Sequence, residues 1–288
     1  MRRDWKTYNI DPETTAVKPG GRQKRRGEPY VYSEQLIMLL LLLKFVLRLP
    51  YKQTEGLAKK VYGGLGIKIP NFRTLHYRLT RGAYCLNELS EIEELPQDFV
   101  ISLDSSGLKV TNRGEWLGKK WGRRPRKGWI KIHVAFDIER RQVVELEVTD
   151  KRTPDCKKAI ELVEGVKGKA EKRGKRLKKV IADAGYDTHE FFRYLGERKI
   201  EPAVLVRKGA KISGDNPYRD RVVRAIRKGK RKWKKSVDYG KRWLVEGFFS
   251  GFKWWFGEYV SNVRFENIKK ELVFKVAIAN MFLAMGLG

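Results

Sequence analysis

Between Phe99 and Asp150 the chain carries three strand-like runs, FVISLDSSGLKV, GWIKIHVAFD and QVVELEVTD, with only the short turn IERR between the last two. Runs rich in β-branched and aromatic residues, with no helix between them, pair as an antiparallel meander. The next segments restrict the fold further. TPDCKKAIELVEGV reads as a helix with Thr153 as N-cap and Pro154 at its first position. Then come the apolar strand KKVIADAGY, the helix THEFFRYLGERK and the strand EPAVLVRK. Three strands, then helices alternating with strands, then a long terminal helix predict an α/β fold: a mixed sheet with flanking helices.

A different pattern precedes this. Ser33 is a good N-cap for an apolar helix that runs to about Leu49 and ends at Pro50. Its run LIMLLLLL falls far short of the roughly 20 residues a membrane span requires. A second helix follows from Thr54, then the turn-rich GGLGIKIP, then a third helix from Asn71. The expected organisation is a basic arm over 1–32, a small all-α, helix-turn-helix-like domain over 33–95 and the α/β domain over 96–288. The third helix carries Arg73, His76, Tyr77, Arg78 and Arg81, and Arg73 and Arg78 are candidates for reading DNA. A helical bundle with a solvated basic face remains the alternative.

Charge narrows the partners. With 63 Lys+Arg against 34 Asp+Glu, the formal net charge of +29 points to a polyanion, either nucleic acid or an anionic membrane surface. The stretch from Arg207 to Arg242 is crowded with Lys and Arg and reads as a phosphate-tracking tract or a charged disordered loop. Cys85 and Cys156 have no metal-site or disulfide-framework spacing, and both read as buried thiols. MRRDWKTYNI offers no apolar stretch for a signal peptide, so a cytoplasmic location is expected.

Three carboxylates then stand out. Asp104 lies within an apolar strand and Asp183 closes another, and a carboxylate in such a place needs a partner or a metal. Turn-capping is the bland account of each. Glu246 is the one acid in YGKRWLVEGFFSGFKWWF, a segment that reads as an amphipathic helix. At about 100° per residue, Tyr239, Arg242 and Lys253 fall within roughly 60° of Glu246, while Val245, Phe248, Phe249, Phe252 and Phe256 point away. The alternative here is an exposed i,i+4 Arg242–Glu246 ion pair. If strand ends and helix converge, three carboxylates without a His or Cys cluster make a hard oxygen site suited to Mg²⁺ or Mn²⁺. Asp187 with Glu190 reads as a capping box, His133 as structural, His76 and His189 as surface or capping groups. Trp243 and Trp254 are expected in the core rather than stacked on bases.

These motifs resemble the DDE transposases of prokaryotic insertion sequences. Tyr239, Arg242, Glu246 and Lys253 match one group's Y-(2)-R-(3)-E-(6)-K signature without a gap. DSSGLKVTNRGEW is similar to the block around that family's first Asp, and ADAGYD to the block around its second, commonly ADGAYD, with Ala and Gly exchanged. The KxH of GWIKIHVAFD and the NMFLAMG tail extend the likeness over about residues 33 to 286. The resemblance implies a ribonuclease-H-like core. It further implies Asp104, Asp183 and Glu246 as catalytic ligands of two Mg²⁺ or Mn²⁺ ions, and Tyr239, Arg242 and Lys253 on the DNA backbone. Cleavage of transposon ends and strand transfer would follow, with double-stranded DNA (terminal inverted repeats and target) as partner, a homodimer in the synaptic complex, and residence at the nucleoid. A ribonuclease-H-like nuclease, or a domesticated DNA-binding protein that no longer transposes, is the alternative.

Overall fold

The computed structural model describes residues 32–82, 95–110 and 128–287. The basic arm, Cys85 and the TNRGEW part of the first Asp block lie outside these residues. Three helices come first: α1 (Glu34–Val46), α2 (Tyr51–Tyr62) and α3 (Phe72–Arg81). Ser33 caps α1 by accepting from the Leu36 N–H, and Asn71 caps α3 through the Thr74 N–H at 2.8 Å. Pro50 starts α2 instead of merely ending α1, because its fixed φ suits a helix entry. That moves α2 three residues earlier than the sequence pattern places it.

The sheet is built from β1 (Asp98–Val110), β2 (Trp129–Asp137), β3 (Gln142–Asp150), β4 (Arg176–Ala182) and β5 (Glu201–Val204), in the order β3-β2-β1-β4-β5. Pairing is antiparallel through β3, β2 and β1, and parallel from β1 to β4 and β5. This is the ribonuclease-H-like arrangement. A short turn over 138–141 joins β2 to β3, whereas each parallel addition needs a helical crossover. A short β6 (Tyr259–Val260) pairs parallel with the far end of β1.

Helices cover both faces. One face buries Phe99, Ile101 and Leu103 of β1 against α4 (Cys156–Glu171), α5 (His189–Glu197) and α6 (Pro217–Ser236). The other buries Leu108, Val134 and Phe136 against α1 to α3, α7 (Trp243–Phe256) and α8 (Phe265–Ala284). Ile37, Leu40, Leu75 and Leu79 therefore share one core with the sheet. The tract after Arg207 is not a loop throughout: α6 is a helix capped by Asn216, with non-helical torsions only at Gly229. Among the described residues no helix is long and apolar enough to cross a membrane.

Two local expectations are corrected. Asp150, not Thr153, organises the entry to α4, accepting from the Arg152 and Thr153 N–H groups, and the helix begins at Cys156. Thr188 caps α5, while Asp187 is buried and holds Arg219 in a two-pronged ion pair at 2.7 and 3.0 Å. A planar guanidinium matched to a carboxylate fixes geometry as well as charge. Asp187 also accepts from the Arg207 N–H, so one carboxylate ties the loop after β4, the exit of β5 and helix α6 together.

Candidate active site

Asp104 sits on the middle strand, opposite Val134 of β2. Directly opposed residues share a face, and Val134 belongs to the core beneath α7, so Asp104 is presented on the α7 side. Its neighbour Ser105 opposes His133, which places His133 on the other side of the sheet. His133 is fully buried, its Nε2 2.8 Å from Thr149 Oγ1, and burial lowers its pKa to about 4. It is a neutral structural histidine.

Asp183 follows β4, the parallel neighbour of β1, and caps a 3₁₀ turn over Ala184–Tyr186 by accepting from the Gly185 N–H at 2.8 Å. A Cβ on Gly185 would approach Asp183 Oδ1 to 2.9 Å. Gly185 thus leaves room for the Asp183 carboxylate in the position it adopts here. Tyr186 of the same block is buried; burial, then the nearby Asp155, Asp104 and Asp183, push its phenol pKa well up.

Glu246 lies in the first turn of α7, where the helix N-terminus favours an acid. Arg242, just ahead of it, links the elements: one guanidinium nitrogen pairs with Glu246, and Nη1 lies 3.4 Å from Asp104 Oδ2. The i,i+4 ion pair and the proximity to Asp104 therefore coexist. Burial raises the Asp104 pKa to about 6; the Ser105 N–H and Arg242 oppose the rise, and the charges of Asp183 and Glu246 add to it. Asp183 and Glu246 thus both lie near enough to Asp104 for their charges to bear on it. Among the described residues, no three His, Cys, Asp or Glu side chains are grouped as a metal site. A guanidinium occupies the position between Asp104 and Glu246.

The stripe predicted from 239 to 256 is shorter than expected. Tyr239 to Arg242 form a 3₁₀ turn, and α7 begins at Trp243. Tyr239 is buried against Trp233, ring centroids 5.6 Å apart, and its phenol pKa is raised, chiefly by burial. Lys253 is half-buried on α7. Trp243 and Trp254, expected in the core, are 61% and 75% exposed. Of the α3 candidates, Arg73 is exposed, whereas Arg78 is buried and paired with Glu34. The bridging role of Arg242 was missed in the sequence; its i,i+4 spacing from Glu246 was the available signal, but Asp104 is remote in the chain.

A family model described as Transposase DDE domain matches residues 96–281, and a second model with the same description matches residues 2–113. An uncharacterized protein of Aquifex aeolicus (strain VF5) is 27% identical over 143 residues, covering 46% of this chain and 43% of that relative. The matched stretch is thus under half of the relative's length. Among solved structures, the Mos1 mariner paired end complex with Mn is 13% identical with a TM-score of 0.28, and the Mos1 transposase paired-end complex with left transposon end is 12% identical with a TM-score of 0.27. Each covers 93% of this chain and 82% of the solved chain. The strand order β3-β2-β1-β4-β5 defines the fold independently of these likenesses.

Proposed function

The chain belongs to the Transposase DDE domain family, and we propose that it cleaves the ends of a DNA element and transfers the freed 3′ ends into target DNA. One observation carries this reading: Asp104 on the central strand, Asp183 just past the end of its parallel neighbour and Glu246 at a helix start are brought toward one another, with Arg242 reaching both Asp104 and Glu246. The Arg242 guanidinium already places positive charge between Asp104 and Glu246, a position whose oxygen ligands would suit a divalent cation.

Asp104, Asp183 and Glu246 would hold two Mg²⁺ or Mn²⁺ ions, and ions held there would supply Lewis-acid stabilisation of the oxygens exchanged in phosphoryl transfer. Arg242 stands in for that positive charge in the free protein and turns to a DNA phosphate when the site is filled. Tyr239, buried near the three acids, is not free to reach the DNA backbone in this arrangement. Lys253 and the exposed faces of Trp243 and Trp254 extend the contact along α7 to the DNA. The basic ridge of α6, anchored to the Asp183 loop through Asp187 and Arg219, carries phosphates toward the site. Because two ends must be joined, a homodimer assembles on paired ends.

The test uses labelled duplexes carrying the sequences that flank this gene. Asp104→Asn, Asp183→Asn and Glu246→Gln should each abolish Mg²⁺-dependent end cleavage while duplex affinity changes less than about threefold, since the basic surface is untouched. Cleavage retained in any one variant removes that residue from the site. Cleavage of arbitrary duplex or RNA–DNA hybrid without strand transfer would instead identify a nuclease.

A further inference from the structure

Away from the three acids, the exposed face of α3 and the N-terminal turn of α8 enclose an open cleft of about 1060 Å³. Of the aromatic rings on its lining, Tyr77 at 56% exposure and Phe265 at 41% are the exposed large ones. Four cations surround them: Arg73, Arg81, Arg264 and Lys270. Glu266 is the one acid on the lining, and it lies 3.8 Å from Lys269. The Lys270 ammonium donates to the Thr80 carbonyl at 2.5 Å, which fixes α8 against α3 and gives the cleft a defined width.

We infer that this cleft binds unpaired nucleotides of a single DNA strand. The inference rests on the reading that the chain acts on DNA, and it assigns the cleft a different substrate form from the duplex engaged along α6 and α7. Cations alone would suit any phosphate backbone. Exposed rings among them add binding only where a base face is accessible, and in a duplex both faces of every internal base are covered by neighbours. Side-on rings with flanking Arg and Lys are the combination that holds single strands with little sequence preference. The volume just exceeds the ~300–1,000 Å³ of small-molecule sites, enough for a short run of nucleotides. Strand cleavage at an element's end generates such a segment when the cut end frays.

The experiment titrates the full chain with a short fluorescein-labelled oligothymidylate and, separately, with a labelled blunt duplex of the same length. Tyr77→Ala and Phe265→Ala should each weaken oligothymidylate binding about tenfold, and the double variant more. Tyr77→Phe keeps the ring and should bind like the parent. Duplex affinity and Mg²⁺-dependent end cleavage should stay at parent levels in all of them. An unchanged oligothymidylate affinity in the double variant, or losses equal for single strand and duplex, overturns the assignment. A parent chain that binds duplex but not oligothymidylate overturns it too and leaves the proposed end cleavage standing; one that binds neither overturns both.

Discussion

At single-residue scale, a buried carboxylate such as Asp104, proposed above as a metal ligand, is expected to weaken the fold that carries it. Burial raises its pKa to about 6, so the folded chain binds this proton more tightly than the unfolded chain, where the value is near 3.9. The penalty is therefore absent below about pH 4, grows as pH rises, and is complete above about pH 6. At about 1.4 kcal/mol per pKa unit its ceiling is about 3 kcal/mol. In metal-free buffer Asp104→Asn should unfold at a higher temperature than the parent above pH 6, and the two curves should meet below about pH 4. Equal stability at all pH values would mean that Arg242 fully compensates the buried charge. The need of Asp104 for a partner was legible from its apolar strand, because a lone buried carboxylate is costly anywhere. The identity of that partner was not, since Arg242 reaches it only after the chain has folded. Arg78 makes the same point from the other side: on α3 it looks like a DNA contact, yet it turns inward to Glu34.

At the scale of elements, the boundaries that sequence missed are those decided by packing. Nothing in YGKRWLVEG marks Tyr239 as the residue that leaves the stripe; it is the space beside Trp233 that draws the ring inward and delays the helix to Trp243. The exposure of Trp243 and Trp254 was misjudged for a related reason. Five other large apolar side chains of α7 already fill the face toward the sheet, leaving the indoles on the side of Glu246. The seating of α8 depends on a feature equally hidden in sequence. Glu271 is fully buried, pairs with the buried Lys275 at 2.8 Å and accepts from the Ser261 and Asn262 N–H groups, tying α8 to the segment after β6. Burial would raise its pKa, but Lys275 and these donors outweigh it and hold the carboxyl below its usual value. Glu271→Gln removes the charge and leaves Lys275 and the nearby buried Lys44 uncompensated, so urea unfolding should show a loss of about 3–5 kcal/mol. Glu266→Gln, an exposed acid of the same helix, should cost no more than about 0.5 kcal/mol. Comparable losses in the two variants would show that the buried pair does not seat the helix.

For the molecule as a whole, the order of strands and helices was legible because connectivity limits how such runs can pair, whereas the distribution of charge over the surface was not. A net charge of +29 favours a polyanionic partner but does not say where it would sit. Folding sorts the cations: Arg224, Lys228, Arg231 and Lys235 stand exposed along α6, on either side of Gly229, while Lys172, Lys178, Arg193 and Lys199 stand exposed on other elements. If the α6 ridge tracks phosphates, the two sets differ in what their removal does to DNA binding. Each neutralised phosphate releases counterions and contributes about 0.9 to the slope of log affinity against log salt. Replacing the four α6 cations by Gln should flatten that slope by about 0.9 for every phosphate no longer neutralised, on end-containing and scrambled duplexes alike, because interactions with the DNA backbone carry no sequence information. Replacing the second set removes the same formal charge from the same protein and should leave the slope nearly unchanged, since a Debye length of about 8 Å at physiological salt screens charges that do not touch the duplex. The measurement is a duplex titration of each variant across a range of salt concentrations. Equal flattening by both sets would mean that the whole surface acts as a diffuse cation and that α6 has no special place on the DNA.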